Sequence, residues 1–257
     1  MSKKVALITG STRGIGLSIA ESFAANGYNV MLSGIETSGD FTASELAKRF
    51  NTEVAFAHAN MMEPAEVKRM VSDTESRFGR LDVLINNAGI QHVSPVEEFP
   101  DEKWDAIIAI NLTAAFHACK AAWPGMKARQ FGRIINIASA HGLRASEFKS
   151  AYVAAKHGIV GLTKVMALEG AVCNITANAI CPGYVLTPLV EGQIKDQAKA
   201  FNISEDEVVQ KIMLKKHAVK DFVTAEFLGK TALFLASEDA SLITGVALPV
   251  DGGWTVQ

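Results

Sequence analysis

Val5-Ala6-Leu7-Ile8-Thr9-Gly10-Ser11-Thr12-Arg13-Gly14-Ile15-Gly16 is the stretch whose reading decides the fold. A short, wholly apolar run is what a strand covered on both faces of a parallel sheet looks like. It meets a turn holding three glycines, and a helical pattern follows to about Asn26, closed by Gly27. Strand, glycine turn and helix in that order form the dinucleotide-binding context. Glycines let the backbone approach a pyrophosphate, which then rests on the helix N-terminus. Gly10, Ser11, Thr12, Arg13, Gly14, Ile15 and Gly16 are therefore the candidate cofactor cradle, with the spacing G-x-x-x-G-x-G.

Outward from this turn the chain alternates. A second strand over 29–33 ends at Gly34-Ile35-Glu36. A carboxylate about 20 residues past a glycine motif can hold a ribose 2′-hydroxyl and repel a 2′-phosphate. Ile35 and Glu36 thus favour NAD, while the cation of Arg13 leaves NADP open. Helix 43–50, strand 53–57, helix 64–78 and strand 83–85 complete a right-handed βαβαβ. Asn60, with Met61 beside it, follows the third strand, where it would meet the adenine edge. Asn87, Ala88 and Gly89 close the fourth strand, at the crevice where strand order reverses. The expected fold is α/β: one Rossmann-type, doubly wound parallel sheet of about seven strands, with helices on both faces.

At 257 residues, about half of them apolar, the chain fits one domain over 1–257. A net charge of −2 supplies no basic field for nucleic acid or an anionic membrane. Cys119, Cys173 and Cys181 make an odd count without CxxC spacing, as free thiols in a reducing compartment would. The start shows no signal-peptide pattern and no apolar run long enough to span a bilayer, so a cytoplasmic protein is expected. No metal-binding set is expected.

The chemistry is expected between Arg133 and Lys156. An apolar strand ends at Ala138-Ser139, and Ser150 opens a helix carrying Tyr152 and Lys156. Residues four apart share a helical face, so phenol and ammonium project together. A nearby cation favours the phenolate, which would bring Tyr152 into range for proton exchange with a carbonyl or alcohol. The hydroxyl of Ser139 could hold the same oxygen. Asn111 lies inside a long helical pattern over 101–127, where Asn is a poor helix former, and the cost points to a kink or a held water. Pro124 should disturb that helix's last turns.

A strand over 175–181 runs into Pro182-Gly183-Tyr184-Val185-Leu186-Thr187, a further candidate cofactor loop. Beyond it, about 187–220 reads as an inserted helical lid. Ser204-Glu205-Asp206-Glu207 is a capping box opening a helix whose last turn would carry Lys215, Lys216 and His217. Helix 224–235 and strand 246–250 finish the chain.

TGSTRGIG, NNAG, Asn111, Ser139 thirteen residues before Tyr152, Lys156 and PGYVLT together resemble the short-chain dehydrogenase/reductase family across essentially the whole chain. The resemblance implies Tyr152 as acid/base and Ser139 as oxyanion partner. Lys156 would lower the phenol's pKa and bind the nicotinamide ribose, Asn111 would hold a relay water, and Val185 and Thr187 would contact the carboxamide and phosphate. Within the family, NNAGIQH, FGRIINIASAHGL, KSAYVAAKHG, TANAICPG and TPLVEGQI look like the bacterial D-3-hydroxybutyrate dehydrogenases. That likeness implies a clamp for a small carboxylate substrate built from Gln91, His141, Lys149 and Gln193, with Tyr184 in the wall where Trp is expected, and a homotetramer. It implies hydride exchange between NAD and (R)-3-hydroxybutyrate, giving acetoacetate. An NADPH-dependent 3-oxoacyl reductase and a catalytically silent nucleotide-binding protein are the alternatives.

Overall fold

A computed structural model describes residues 3–256, with the side chains of Pro188, Leu189, Gln193 and Ala200 outside the described set. Seven parallel strands form one sheet in the order β3-β2-β1-β4-β5-β6-β7. They are β1 (Val5–Ile8), β2 (Asn29–Gly34), β3 (Val54–His58), β4 (Val83–Asn86), β5 (Gly132–Ile137), β6 (Ile175–Pro182) and β7 (Ala247–Val250). The chain winds outward from β1 through β2 to β3, then returns to place β4 on the other side of β1. A crevice therefore opens at the carboxyl ends of β1 and β4.

Side chains alternate across the sheet. Ala6, Ile8, Val30 and Leu32 pack under α1 (Gly14–Ala25), α2 (Gly39–Phe50) and α8 (Ala225–Ala236). Leu7, Met31, Leu84 and Ile134 pack under α3 (Pro64–Phe78), α4 and α5 (Ser150–Gly170) on the opposite face. The helix α4 runs from Asp101–Ile108 through a π turn, Ala109–Thr113, into Ala114–Arg129. Asn111 sits inside that turn, so the expected irregularity is a widened turn. Pro124 does not end the helix: Lys120, whose carbonyl loses its donor, is exposed to water.

By length and composition alone, Asp101–Arg129 (mean hydropathy 1.3) is apolar enough to cross a membrane. Ala118, Cys119, Ala122 and Met126 nonetheless lie fully buried against the sheet.

Between β6 and α8 the chain makes an excursion containing α6 (Pro188–Phe201) and α7 (Glu205–Glu207, continuing as a π turn through Val208–Met213). Ser204 and Glu207 form the expected capping box. The helix ends sooner than expected, however, and Lys215–His217 lie beyond it. Lys220 folds back to donate to the carbonyls of Leu214 (2.8 Å) and Lys215 (2.9 Å), supplying a side-chain donor where the backbone ladder stops. The two ends of the excursion meet in an isolated bridge between Val185 and Val223, closed by Leu186 N–H to Val223 O and Val223 N–H to Tyr184 O, each 3.0 Å.

Candidate active site

The carboxyl ends of the strands form the rim of a cleft of about 930 Å³. Of the glycine turn, Ile15 lines this cleft. Gly10 (φ 61°) and Gly14 (φ 58°) adopt left-handed backbone that glycine alone takes freely. At Gly16 a Cβ would collide with the Gly10 carbonyl oxygen and the Asn87 amide. Arg13, the N-cap of α1, gives no side-chain cap, and no acidic residue occupies the first turn. The helix therefore offers its dipole and unpartnered N–H groups outward, as a pyrophosphate requires. Ser11 departs from the expected contact. Its buried hydroxyl donates to Ile8 O (2.7 Å) and accepts from Ser33 N–H (3.0 Å), bracing β1 to β2.

The neighbouring loop is locked to this turn. The Asn87 amide donates to Thr9 O and Gly10 O, each at 2.9 Å. The Thr9 hydroxyl accepts from Asn87 N–H and Ala88 N–H, each at 3.0 Å. Sequence reading took Thr9 only as the end of a strand; nothing local marks its hydroxyl as the joint between two loops. Asn111, 1% exposed, accepts from Ile90 N–H (2.8 Å) and donates to Ile90 O (2.9 Å). Its side chain thus fixes the loop leading to Gln91.

At the outer edge of the cradle, Arg13 and Glu36 form an ion pair (3.6 Å), and Ile35 N–H donates to Glu36. Partial burial would raise the Glu36 pKa, but the Thr12 hydroxyl, backbone N–H groups and Arg13 together hold it below the usual value. Asn60 turns inward: its backbone N–H meets Glu66 (2.8 Å) and its side-chain oxygen accepts from Met62 N–H (3.0 Å). Met61 lines a water-sized void with Asn111 rather than the cleft.

Ile15, Asn87, Gly89 and the loop Pro182–Val185 with Thr187 line one side of the cleft; Gln91, Ser139, His141, Lys149, Tyr152 and Lys156 line the other. Ser139 caps the short turn Ala140–Gly142, accepting from His141 N–H at 3.1 Å. Lys156, 3% exposed, donates to Ile137 O at 2.7 Å, and its ammonium lies 5.6 Å from the Tyr152 ring centre. Burial brings its pKa down to about 8. Burial also pushes the Tyr152 phenol up, with the Ser139 hydroxyl pulling the other way. The ammonium expected to lower the phenol's pKa thus stands beside the Tyr152 ring while bonded to a carbonyl.

His141, brought down to about 4 by burial and by Lys149, Lys216 and His157, is neutral near pH 7. Burial lowers the Lys149 pKa as well. Gln193 lies on α6, and its side chain is outside the described residues. Gln197, one turn further along the helix, lines the cleft, a position that the i, i+4 spacing from Gln193 could have indicated. A file of rings runs along the cleft, lined by its members Tyr152, His141, Trp254 and Tyr184 and backed by His217. Tyr152 and His141 stand 5.9 Å apart, His141 and Trp254 5.0 Å, Trp254 and His217 5.7 Å, and His217 and Tyr184 5.9 Å. Trp254 and His217 come from distant segments and gave no local signal.

A half-buried phenol, a hydroxyl and an ammonium of lowered pKa stand together beside an anion-binding turn. That arrangement can exchange a proton with a substrate oxygen next to a bound dinucleotide. Comparison with known proteins agrees. Residues 10–255 match the family model described as Enoyl-(Acyl carrier protein) reductase. The chain is 52% identical to a D-beta-hydroxybutyrate dehydrogenase of Rhizobium meliloti, over 99% of each chain. It is 51% identical to one of Cupriavidus necator, over 99% of this chain and 98% of that protein. A variant actinorhodin polyketide ketoreductase solved with NADPH superposes with a TM-score of 0.91 at 32% identity, covering 100% of both chains. From its sheet to its matched relatives, the chain is a member of the short-chain dehydrogenase/reductase family of oxidoreductases.

Proposed function

We propose that the chain oxidises (R)-3-hydroxybutyrate to acetoacetate reversibly, with NAD as its partner. The carrying observation is Lys149 in the same cleft as Tyr152, Ser139, Gln91 and His141: one cation and several hydrogen-bonding groups beside a proton-exchange group. Such a set suits a small carboxylate carrying a 3-hydroxyl. Half-identity to relatives bearing the D-beta-hydroxybutyrate dehydrogenase name supports the same substrate.

Nicotinamide supplies the hydride acceptor when bound. Tyr152, as the phenolate that the Lys156 ammonium beside its ring favours, takes the proton of the substrate hydroxyl as C3 loses hydride, and Ser139 holds the oxygen while its charge changes. Lys156, with a pKa of about 8, passes that proton onward. Lys149 fixes the carboxylate, with His141 and the amide of Gln91 around it. The excursion over about 187–220 acts as a lid on one domain, bringing Gln197 to the substrate.

NAD is preferred because Glu36 both faces the ribose position and engages Arg13. A polyketide ketoreductase of this fold was solved with NADPH, which keeps NADP as the second reading. Phe116, Val165, Leu168 and Val172 expose apolar surface along α4 and α5, which supports self-association into a tetramer.

The test follows absorbance at 340 nm with the (R)-acid, separately with NAD and NADP, and with the (S)-acid as control. Turnover of the (R)-acid with NAD is expected. Silence with both cofactors would discard the proposal in favour of 3-oxoacyl thioesters.

A further inference from the structure

Among the described non-glycine residues, five have positive φ: Asn51, Gln130, Asn174, Asn202 and Phe148. The first four each close a helical segment, where left-handed backbone is an ordinary ending. Phe148, at φ 64°, does not. It carries a bulky side chain, for which this conformation is rare. The ring is 53% exposed, so little packing is gained in exchange.

Two contacts surround this backbone. The Phe148 carbonyl accepts from Ser94 N–H at 3.0 Å, tying its loop to the segment that follows Gln91, His92 and Val93 at the cleft. The next residue is Lys149, which starts α5 as its N-cap, with its carbonyl accepting from Val153 N–H at 2.9 Å. Strained backbone persists where surroundings over-determine it, and it collects beside functional groups. Rotating residue 148 back to negative φ would turn its carbonyl away from Ser94 and redirect the chain entering Lys149.

We propose that the left-handed backbone of Phe148 is what presents Lys149 to the cleft, making Phe148 a positioning residue for the substrate's anionic end. The anionic end rests on the reading of Lys149 given under Proposed function; the backbone argument does not. What matters at position 148 is tolerance of positive φ, not the aromatic ring.

The test compares Phe148→Asn, Phe148→Gly and Phe148→Val in the full-length protein. Asn and Gly accept left-handed backbone, whereas a β-branched residue resists it. Phe148→Asn should keep KM for the hydroxy acid within about twofold, Phe148→Gly should fall between, and Phe148→Val should raise it about tenfold, as expected when a strained conformation is lost. Turnover number and cofactor Kd should be unchanged in all three. Crystal structures should show φ of 148 positive in the Asn variant, and Lys149 withdrawn from the cleft in the Val variant. Equal KM in the Asn and Val variants would overturn the proposal, because the ring or nothing at all would then be responsible. So would a Val variant that keeps positive φ with Lys149 in place. Lys149→Ala in the same assay separates the two readings. An unchanged KM there removes the carboxylate role, while the crystal positions of Lys149 still decide the role of Phe148.

Discussion

Thr9→Val removes one oxygen and leaves the shape of the side chain almost unchanged. Thr9 is 3% exposed, and its hydroxyl accepts from the N–H groups of Asn87 and Ala88, each at 3.0 Å. In the variant both donors face a methyl group. Losing two partly buried hydrogen bonds, at roughly 1–1.5 kcal/mol each, should destabilise the fold by about 2–3 kcal/mol. For a chain of this size that corresponds to a Tm lower by about 5–10 °C. Because the loop they hold carries Asn87 and Gly89 at the cleft, cofactor Kd should rise as well. Thr9→Ser keeps the acceptor and should lose much less. The assay is thermal unfolding of wild type and both variants, with cofactor titration by fluorescence. Equal midpoints for the Val and Ser variants would refute the assignment of this hydroxyl as the joint between the loops.

Tyr152→Phe should lower kcat by about 10²–10⁴-fold, the span of general acid–base contributions, with cofactor binding retained. Steady-state kinetics and cofactor titration check both parts. Lys149→Ala should raise KM about tenfold with kcat little changed, since charge-assisted bonds to a carboxylate are the stronger kind. Glu36→Gln frees Arg13 and removes a carboxylate from the ribose position, so the ratio of NADP to NAD turnover should increase. His141 has a folded pKa of about 4 against 6.5 unfolded. The unfolded chain therefore binds a proton that the fold resists, and stability from this group is lost as pH falls from 6.5 toward 4. Urea midpoints at about pH 7.5 and about pH 5 should fall less in His141→Gln than in wild type.

The parallel strands were legible because each is a continuous apolar run bounded by polar or glycine turns, and Pro64 placed the start of α3 without error. Tyr152 and Lys156 were legible because their relation is local, four residues along one helix. Their acidities were not, because desolvation depends on everything packed around them. Asn111 announced itself as a costly residue, yet its partner, Ile90, lies 21 residues away in the chain. The end of α7 was misplaced because Lys215, Lys216 and His217 resemble a charge-matched last turn. The stop came instead from Lys220, returning over the carbonyls of Leu214 and Lys215. Trp254 joins the cleft wall, and His217 stacks behind it, only through tertiary assembly, and the backbone of Phe148 answers to Ser94, far from it in sequence.

The bridge between Val185 and Val223 has a consequence for how such a protein diversifies. The excursion starts and ends at one point beyond the end of β6, so its interior can lengthen, shorten or be exchanged while β6 and β7 keep their register. The glycine turn and Glu36 lie at the other end of the rim, on β1 and β2. Mutations that retune what the enzyme acts on can therefore accumulate apart from those that choose its redox currency. A transplanted excursion, cut at these two valines, is the natural unit for carrying a new substrate preference into this scaffold.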